Sequence, residues 1–172
     1  LLGQVTDLTE TAVCAEFNDL ASVEAALAKG DVAAILTEPV MTNSCMVLPE
    51  AGFHDGLRQL SLKYGALLII DETHTICTGP GGYTASFGLQ PDFLTLGKPL
   101  AGGVPAAIYG FAEEVSKASA EKLSVEDSVV GGIGGTLSGN ALSIAAMKAT
   151  LQNVLTEEFY SKATALQEQF TE

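Results

Sequence analysis

Short apolar segments that recur along the chain constrain its fold most strongly. VAAILTE (32–38), ALLIID (66–71), DFLTLG (92–97) and PAAIYG (105–110) have the length and apolar character of buried strands. The first is a compact run of the kind that is covered on both faces of a sheet. TAVCAEF (11–17) alternates weakly and can be a further strand.

Segments with helix signals lie between and after these strands. Asn18 or Asp19 can cap a helix that Gly30 ends. Pro49 suits the first turn of a second helix, and Gly65 suits the position just after it. The C-terminal half contains three more candidates, over 111–123, 139–155 and 157–170. Strands that alternate with helices predict a single α/β domain with a mainly parallel sheet flanked by helices.

The charge balance argues against several classes of partner. Lysine and arginine number 8 against 21 aspartates and glutamates, which gives a net charge of −13. Nucleic acids and anionic membrane surfaces both need a basic face, so neither is an expected partner. No apolar run has the length of a membrane span, and no signal peptide is expected.

The cysteines and histidines carry little metal or disulfide signal. The three cysteines are widely spaced and form no CxxC pair, which favours reduced thiols in a cytoplasmic protein. The two histidines are too few and too far apart to suggest a zinc site, so no metal is expected. The chain begins without Met and ends within a predicted helix, so we expect it to be a piece of a longer protein.

Three charged residues fall at the carboxyl ends of predicted strands, where α/β sheets bind ligands. They are Glu38, Asp71 and Lys98. Lys98 lies in LGKPLAGG, where no long neighbour can shield or pair with it. It is either an exposed loop lysine or a partly desolvated amine, and desolvation favours the neutral form that attacks a carbonyl.

Asp71 ends a strand so apolar that its carboxylate needs a cation or hydrogen-bond donors. It either caps the following turn or pairs with a protonated ring nitrogen. Pyridoxal 5′-phosphate requires a lysine that forms a Schiff base with it and an acid that keeps its pyridine ring protonated. Asp71 and Lys98 together therefore indicate this cofactor.

Three stretches carry a family resemblance, in the family's order: ILTEPVMTNSCMVLPEAGFHDGLRQLSLKYGALLIIDETHT, GLQPDFLTLGKPLAGGVPAAIYG and GGTLSGNALSIAAMKATL. Together they resemble the class III, fold-type I aminotransferases, in particular the glutamate-1-semialdehyde aminomutase-like branch. The resemblance runs from about Asp31 to Leu155. It implies that residues 1–172 are part of the large, pyridoxal-phosphate-binding domain, without the family's N-terminal segment and C-terminal small domain.

The resemblance implies roles for individual residues. Lys98 matches the Schiff-base lysine, which also moves the proton between the substrate and the cofactor. Asp71 matches the acid at the pyridine nitrogen. Thr73 stands where the family has a branched residue against the ring, and His74 stands near the cofactor's phenolic oxygen. Glu38 matches an acid that lines the site. His74 as a plain loop histidine and Glu38 as a strand-end cap remain the alternatives.

The glycine-rich turn before the last two helices is the expected phosphate contact. Thr136 matches a threonine that binds the cofactor phosphate, typically across a dimer interface, and Gly134 and Gly135 can add backbone donors. A helix-capping threonine without a ligand is the alternative. Glu72 is read as mainly structural, and TGPGGYTASFG (78–88) is predicted to be a loop over the site.

The expected function is transfer of an amino group between a small-molecule amino donor and a carbonyl acceptor. Glutamate-1-semialdehyde 2,1-aminomutase is the alternative; His74 and the CTGPGG segment differ from the tetrapyrrole-pathway enzyme, which favours the aminotransferase. A non-catalytic dimerisation or scaffold unit is a third possibility. The resemblance also implies a cytoplasmic homodimer with its site at the subunit interface. The chain by itself is expected to bind the cofactor weakly and to turn over little or not at all.

Overall fold

A four-stranded sheet organises the computed structural model, which describes residues 5–43, 45–122 and 134–171. The strands are β1 (Ala34–Thr37), β2 (Leu67–Asp71), β3 (Phe93–Leu96) and β4 (Ile108–Phe111), in that spatial order. The first three run parallel, and β4 pairs antiparallel with β3. The prediction of an α/β fold with a mainly parallel sheet is confirmed.

Two helices cover one face of this sheet. Helix α1 (Leu20–Leu27) begins at Asp19, whose carboxylate accepts hydrogen bonds from the backbone of Ala21 and Ser22. Helix α2 (Phe53–Tyr64) ends at Gly65, which has a φ of 70°. A left-handed residue at this point favours glycine, because this backbone conformation is strained for any residue that carries a Cβ. Both predicted helix ends are confirmed.

The core lies between these helices and the covered face of the sheet. It is built from large apolar side chains of α1, α2 and β2. Its central members are Leu27, Leu57, Leu68 and Ile70, each 2% exposed or less. Burying such a side chain stabilises the folded state by about 1.5–3 kcal/mol, so this cluster anchors β2 and the residues that follow it.

The opposite face of the sheet is largely open among the described residues. Leu36 in β1 is 68% exposed, and Tyr109 and Phe111, which lie on the same face of β4, are also exposed. The prediction that the strand at 32–38 is covered on both faces is therefore wrong for this chain. The physical reason is that both packing helices lie on the face that carries Ile35, Leu68 and Ile70.

Some local predictions were also wrong. Residues 11–17 form no strand, because the segment pairs with none of the four strands. Pro49 precedes α2 by four residues rather than occupying its first turn, and Gly52, with a φ of 83°, comes directly before the helix. The segment 78–88 is not all loop: it contains a short helix, α3 (Gly82–Phe87).

The C-terminal half adds three helices: α4 (Glu113–Lys122), α5 (Ala141–Asn153) and α6 (Glu157–Thr171). Helix α5 packs against a 3-10 turn, Lys98–Ala101. Helix α6 reaches a second 3-10 turn, Thr75–Thr78, where the hydroxyl of Tyr160 donates to the carbonyl of Ile76 at 3.3 Å. Among the described residues, every helix falls short of the length and apolar content that a bilayer span requires.

Candidate functional site

The ends of β2 and β3 bring the two central residues of the predicted site to one edge of the sheet. Asp71, the last residue of β2, pairs with Thr95 of β3, and Lys98 follows three residues later. The backbone of the next residue, Glu72, continues this pairing by donating to the carbonyl of Thr95 at 2.9 Å. The parallel register therefore places Asp71 and Lys98 at the same carboxyl edge.

The Asp71 carboxylate is half-buried and held from one side. Its Oδ1 accepts a hydrogen bond from the backbone N–H of Thr73 at 2.8 Å. Within the described parts of the chain, Oδ2 accepts none, so one oxygen remains available for a donor on a ligand. Asp71 thus caps the following turn and keeps a free acceptor, and its pairing with a ring nitrogen stays a prediction.

Lys98 has an unusual backbone conformation. Its φ is 41°, in the left-handed region that costs a residue with a Cβ about 1–2 kcal/mol. Its ammonium forms no ion pair with any described residue, and the side chain is exposed. Of the two alternatives for Lys98, the exposed loop lysine describes this chain, because the 3-10 turn buries Leu100 and Ala101 and leaves Lys98 at the surface.

Thr73 lies beside the backbone that leads into Lys98. A Cβ built on Gly97 would lie 3.5 Å from the Thr73 hydroxyl oxygen. Thr73, Gly97 and Lys98 are therefore neighbours across the edge of the sheet. This arrangement agrees with the prediction that Thr73 contacts whatever Lys98 binds, although the contact itself stays a prediction.

Glu72 has the lowest exposure of any residue near this edge, at 0%. Its carboxylate accepts hydrogen bonds from the Thr75 hydroxyl at 2.5 Å, from the backbone N–H of Tyr83 at 3.1 Å, and from the backbone N–H of Thr84. Burying a carboxylate is costly unless donors satisfy it, and here three do. The structural role predicted for Glu72 is confirmed: it ties the turn after β2 to the start of α3.

Helix α3 approaches Glu72 closely enough to require glycine. A Cβ on Gly82 would lie 2.7 Å from Glu72 Oε2, and Gly82 has a φ of 70°. The Glu72 charge and burial also raise the pKa of the Tyr83 hydroxyl, with burial the larger cause. The glycine-rich segment is thus the part of the chain that packs against the buried carboxylate of Glu72.

A cluster of three side chains forms where β1 and β2 end. The Thr42 hydroxyl donates to Glu38 Oε2 at 2.5 Å and also contacts His74 Nδ1. Glu38 Oε2 and His74 Nδ1 are 3.7 Å apart, and both side chains are about one-third exposed. The structure therefore brings Glu38 and His74 together, as their shared place in the predicted site implies. Glu38 receives a side-chain hydrogen bond rather than serving as a simple cap of its strand.

Sequence reasoning missed Thr42 and His54. Thr42 lies in the segment between Pro39 and Pro49, and no local sequence pattern distinguishes Thr42 from its neighbours. His54 Nε2 lies 2.8 Å from the carbonyl oxygen of Pro39, next to Glu38. Burial lowers the pKa of His54, although the Pro39 carbonyl and the Asp55 charge oppose this effect. A histidine in the first turn of an amphipathic helix gives no sequence signal for such a contact.

Among the described residues, no hydrogen bond or ion pair joins Thr136 or Gly135 to Asp71 or Lys98. Thr136 and Gly135 are both exposed, in a turn before α5 that borders an open cavity with Pro105, Ala106 and Ala107. The Gly135 N–H already donates to the Ser138 hydroxyl at 2.7 Å. The alternative of a helix-capping threonine is wrong, because Asn140 caps α5 by accepting from the Ser143 N–H.

Comparison with known proteins identifies the family. The family described as "Aminotransferase class-III" matches residues 3–172, nearly the whole chain. This chain belongs to the class III aminotransferase family. The resemblance inferred from its sequence motifs is thereby confirmed.

The chain is similar in sequence or structure to two curated relatives and three solved structures. The chain is 46% identical to a glutamate-1-semialdehyde 2,1-aminomutase of Syntrophomonas wolfei over 143 residues, and 43% identical to one of Roseiflexus castenholzii over 155. These matches cover 80% and 88% of the chain but 31% and 34% of the relatives. The chain thus spans about a third of their length.

The three solved structures are likewise of an aminomutase or of aminotransferases. The glutamate-1-semialdehyde-aminomutase of Pseudomonas aeruginosa is 52% identical, with a TM-score of 0.72 over 83% of this chain and 32% of that one. A β-phenylalanine aminotransferase of Variovorax paradoxus is 28% identical, with a TM-score of 0.71 over 86% and 34%. An ornithine aminotransferase of Toxoplasma gondii, described with PLP at its active site, is 28% identical, with a TM-score of 0.73 over 90% and 35%.

Proposed function

We propose that this protein is a pyridoxal-5′-phosphate-dependent aminotransferase that moves an amino group between an amino acid or amine and a carbonyl compound. The observation that carries the proposal is the placement of Asp71 and Lys98 at one carboxyl edge of adjacent parallel strands. Membership of the class III family supports it, as do solved relatives described with PLP or PMP.

The side chains at this edge fit the cofactor. Asp71 Oδ1 is held by the Thr73 N–H, while Oδ2 is free to accept a hydrogen bond from a protonated ring nitrogen. Lys98 has no competing carboxylate partner among the described residues, so its amine is available to a carbonyl carbon. Thr73 lies beside Gly97 and would contact the ring from the β2 side.

When bound, pyridoxal phosphate supplies an electron-accepting ring for the bond that breaks at the substrate Cα. Asp71 would hold a proton at the ring nitrogen. Lys98 Nζ would hold the cofactor and, once displaced by the substrate amine, would accept the Cα proton. Glu38 and His74 lie together at the neighbouring strand ends, and His74 would lie near the cofactor's phenolic oxygen, as the resemblance implies.

Thr136 and Gly135 belong in this proposal as phosphate contacts of a partner subunit. In such a homodimer, as the resemblance implies, two subunits would build each site together. The exposure of Thr136 and Gly135 leaves the Thr136 hydroxyl open to such a contact. The protein containing them would be cytoplasmic, as the reduced-thiol cysteine pattern suggests.

Glutamate-1-semialdehyde 2,1-aminomutase is the second candidate. The identities of 43–52% to enzymes of that name favour it over the aminotransferases, which are 28% identical. His74 and the segment that follows it favour a different substrate. Incubation with a panel of amino donors, set against the semialdehyde alone, distinguishes the two reactions.

Reductive labelling tests the cofactor site. The chain is mixed with pyridoxal phosphate, its visible absorption is recorded, and borohydride followed by peptide mass mapping locates the modified lysine. We expect a phosphopyridoxyl adduct confined to Lys98, which disappears in Lys98→Ala. Lys148→Ala is the matched control, because Lys148 is also an exposed lysine. Adducts scattered over several lysines, or none at all, would contradict the proposal.

A further inference from the structure

The contact between Thr42 and His74 bears on which ring nitrogen of His74, Nδ1 or Nε2, carries the proton. Thr42 Oγ1 lies 2.5 Å from Glu38 Oε2 and in hydrogen-bond contact with His74 Nδ1. Glu38 Oε2 and His74 Nδ1 are 3.7 Å apart, too far for a direct hydrogen bond. The threonine hydroxyl is therefore the bridge between the carboxylate and the imidazole.

A hydroxyl has one proton to donate, and this determines the direction of the two hydrogen bonds. An ionised carboxylate only accepts, so the Thr42 proton goes to Glu38 Oε2. The Thr42 oxygen must then accept from its other neighbour, His74 Nδ1. Nδ1 can donate only if it carries a proton.

We propose that Thr42, oriented by Glu38, fixes neutral His74 in the tautomer that is protonated on Nδ1. Nε2 then has a free lone pair, and it accepts no hydrogen bond within the described residues. Thr42 is a positioning residue, since it acts on the site through His74. Nothing in the amino-acid pattern around residue 42 indicates this role.

The tautomer restricts what His74 can recognise. A neutral imidazole with a bare Nε2 accepts a hydrogen bond, so the group facing it must be a donor, such as an ammonium or a hydroxyl. The opposite tautomer would favour a carboxylate or another acceptor. This consequence rests on the proposed function, whereas the tautomer itself is a property of the chain without any ligand.

His54 provides an internal reference with the opposite tautomer. Its Nε2 lies 2.8 Å from the Pro39 carbonyl oxygen, which can only accept. His54 must therefore carry its proton on Nε2. The chain has only these two histidines, so one spectrum compares both.

Long-range 1H–15N correlation spectra of the imidazole rings test the proposal without cofactor. The 15N-labelled chain is studied at a pH where both rings are neutral. We expect the unprotonated-nitrogen signal from Nε2 of His74 and from Nδ1 of His54. A His74 ring protonated on Nε2 in the unaltered chain would overturn the proposal and would leave the cofactor-binding proposal untouched.

Variants at residue 42 assign the effect to its hydroxyl. Thr42→Val keeps the shape and removes the proton donor, so the Nδ1 preference of His74 should be lost, while Thr42→Ser should restore it. Thr37→Val is the matched control, because within the described parts of the chain the Thr37 hydroxyl donates only to the backbone carbonyl of Glu38, at 2.9 Å. An unchanged His74 tautomer in Thr42→Val would refute the role of Thr42.

Discussion

Replacing Gly82 with alanine tests whether Glu72 is a fixed anchor. Gly82 has a φ of 70°, and a Cβ there would lie 2.7 Å from Glu72 Oε2 and 2.9 Å from its carboxyl carbon. The Glu72 carboxylate cannot retreat freely, because it is buried and accepts from Thr75, Tyr83 and Thr84. The added methyl group therefore has to displace either the carboxylate or the start of α3.

Gly65→Ala is the matched control for the backbone contribution. Gly65 has the same φ of 70°, but a Cβ there meets nothing within 4 Å. Left-handed strain of about 1–2 kcal/mol, less about 0.4–1 kcal/mol gained by restricting the unfolded chain, predicts a loss near 1 kcal/mol for this variant. Overpacking adds about 1–3 kcal/mol, so Gly82→Ala should lose roughly 2–4 kcal/mol.

Thermal and urea unfolding of the two variants provide the comparison. For a chain of this size, 1 kcal/mol corresponds to roughly 3 °C in Tm, so Gly82→Ala should melt about 6–12 °C below the unaltered chain and Gly65→Ala about 3 °C below it. Variants that agree within about 0.5 kcal/mol would refute the reasoning, since the Glu72 carboxylate would then be free to move.

Three further predictions concern Lys98, His54 and turnover. Because Lys98 has a φ of 41°, Lys98→Gly should be more stable than Lys98→Ala by roughly 0.5–1 kcal/mol, which urea unfolding would detect; equal stability would contradict the strain. Burial lowers the pKa of His54, so the unfolded chain binds the proton more readily. The urea midpoint should therefore fall as pH drops below about 6.5, more steeply than in His54→Asn; parallel curves would argue against it. The chain by itself should show little or no transamination in a steady-state amino-donor assay, because it spans about a third of its relatives. Sustained turnover would show that this third is sufficient.

Local sequence signals predicted the frame of the fold well. Asp19 and Gly65 mark helix ends in the sequence because capping and left-handed backbone depend on single residue types. The strands ending at Asp71 and near Lys98 were recognisable because short, mainly apolar runs in a glycine-punctuated α/β pattern leave few alternatives. The weaker alternation at 11–17 lacked such support, and it formed no strand.

Burial depended on which elements pack together, and sequence pattern could not determine it. Leu36 is as apolar as its neighbour Ile35, yet Leu36 is exposed while Ile35 packs against the core. The sequence left Lys98 as either an exposed loop lysine or a partly desolvated amine, and only the fold, in which Leu100 and Ala101 turn inward, shows that it is exposed. A strand residue is buried only where another element covers its face, and that is a long-range property.

The sequence by itself determined the residues with chemical potential, the α/β class and the family, because residue types and spacing are local and are retained in the chain's own order. Only the tertiary structure decided how those residues are held. The register of β2 against β3 places Asp71 at the same edge as Lys98, α3 supplies two of the donors for buried Glu72, and Thr42 joins Glu38 to His74 from a segment with no sequence signal. Such contacts join residues up to 32 positions apart, so they exist only after the chain has folded.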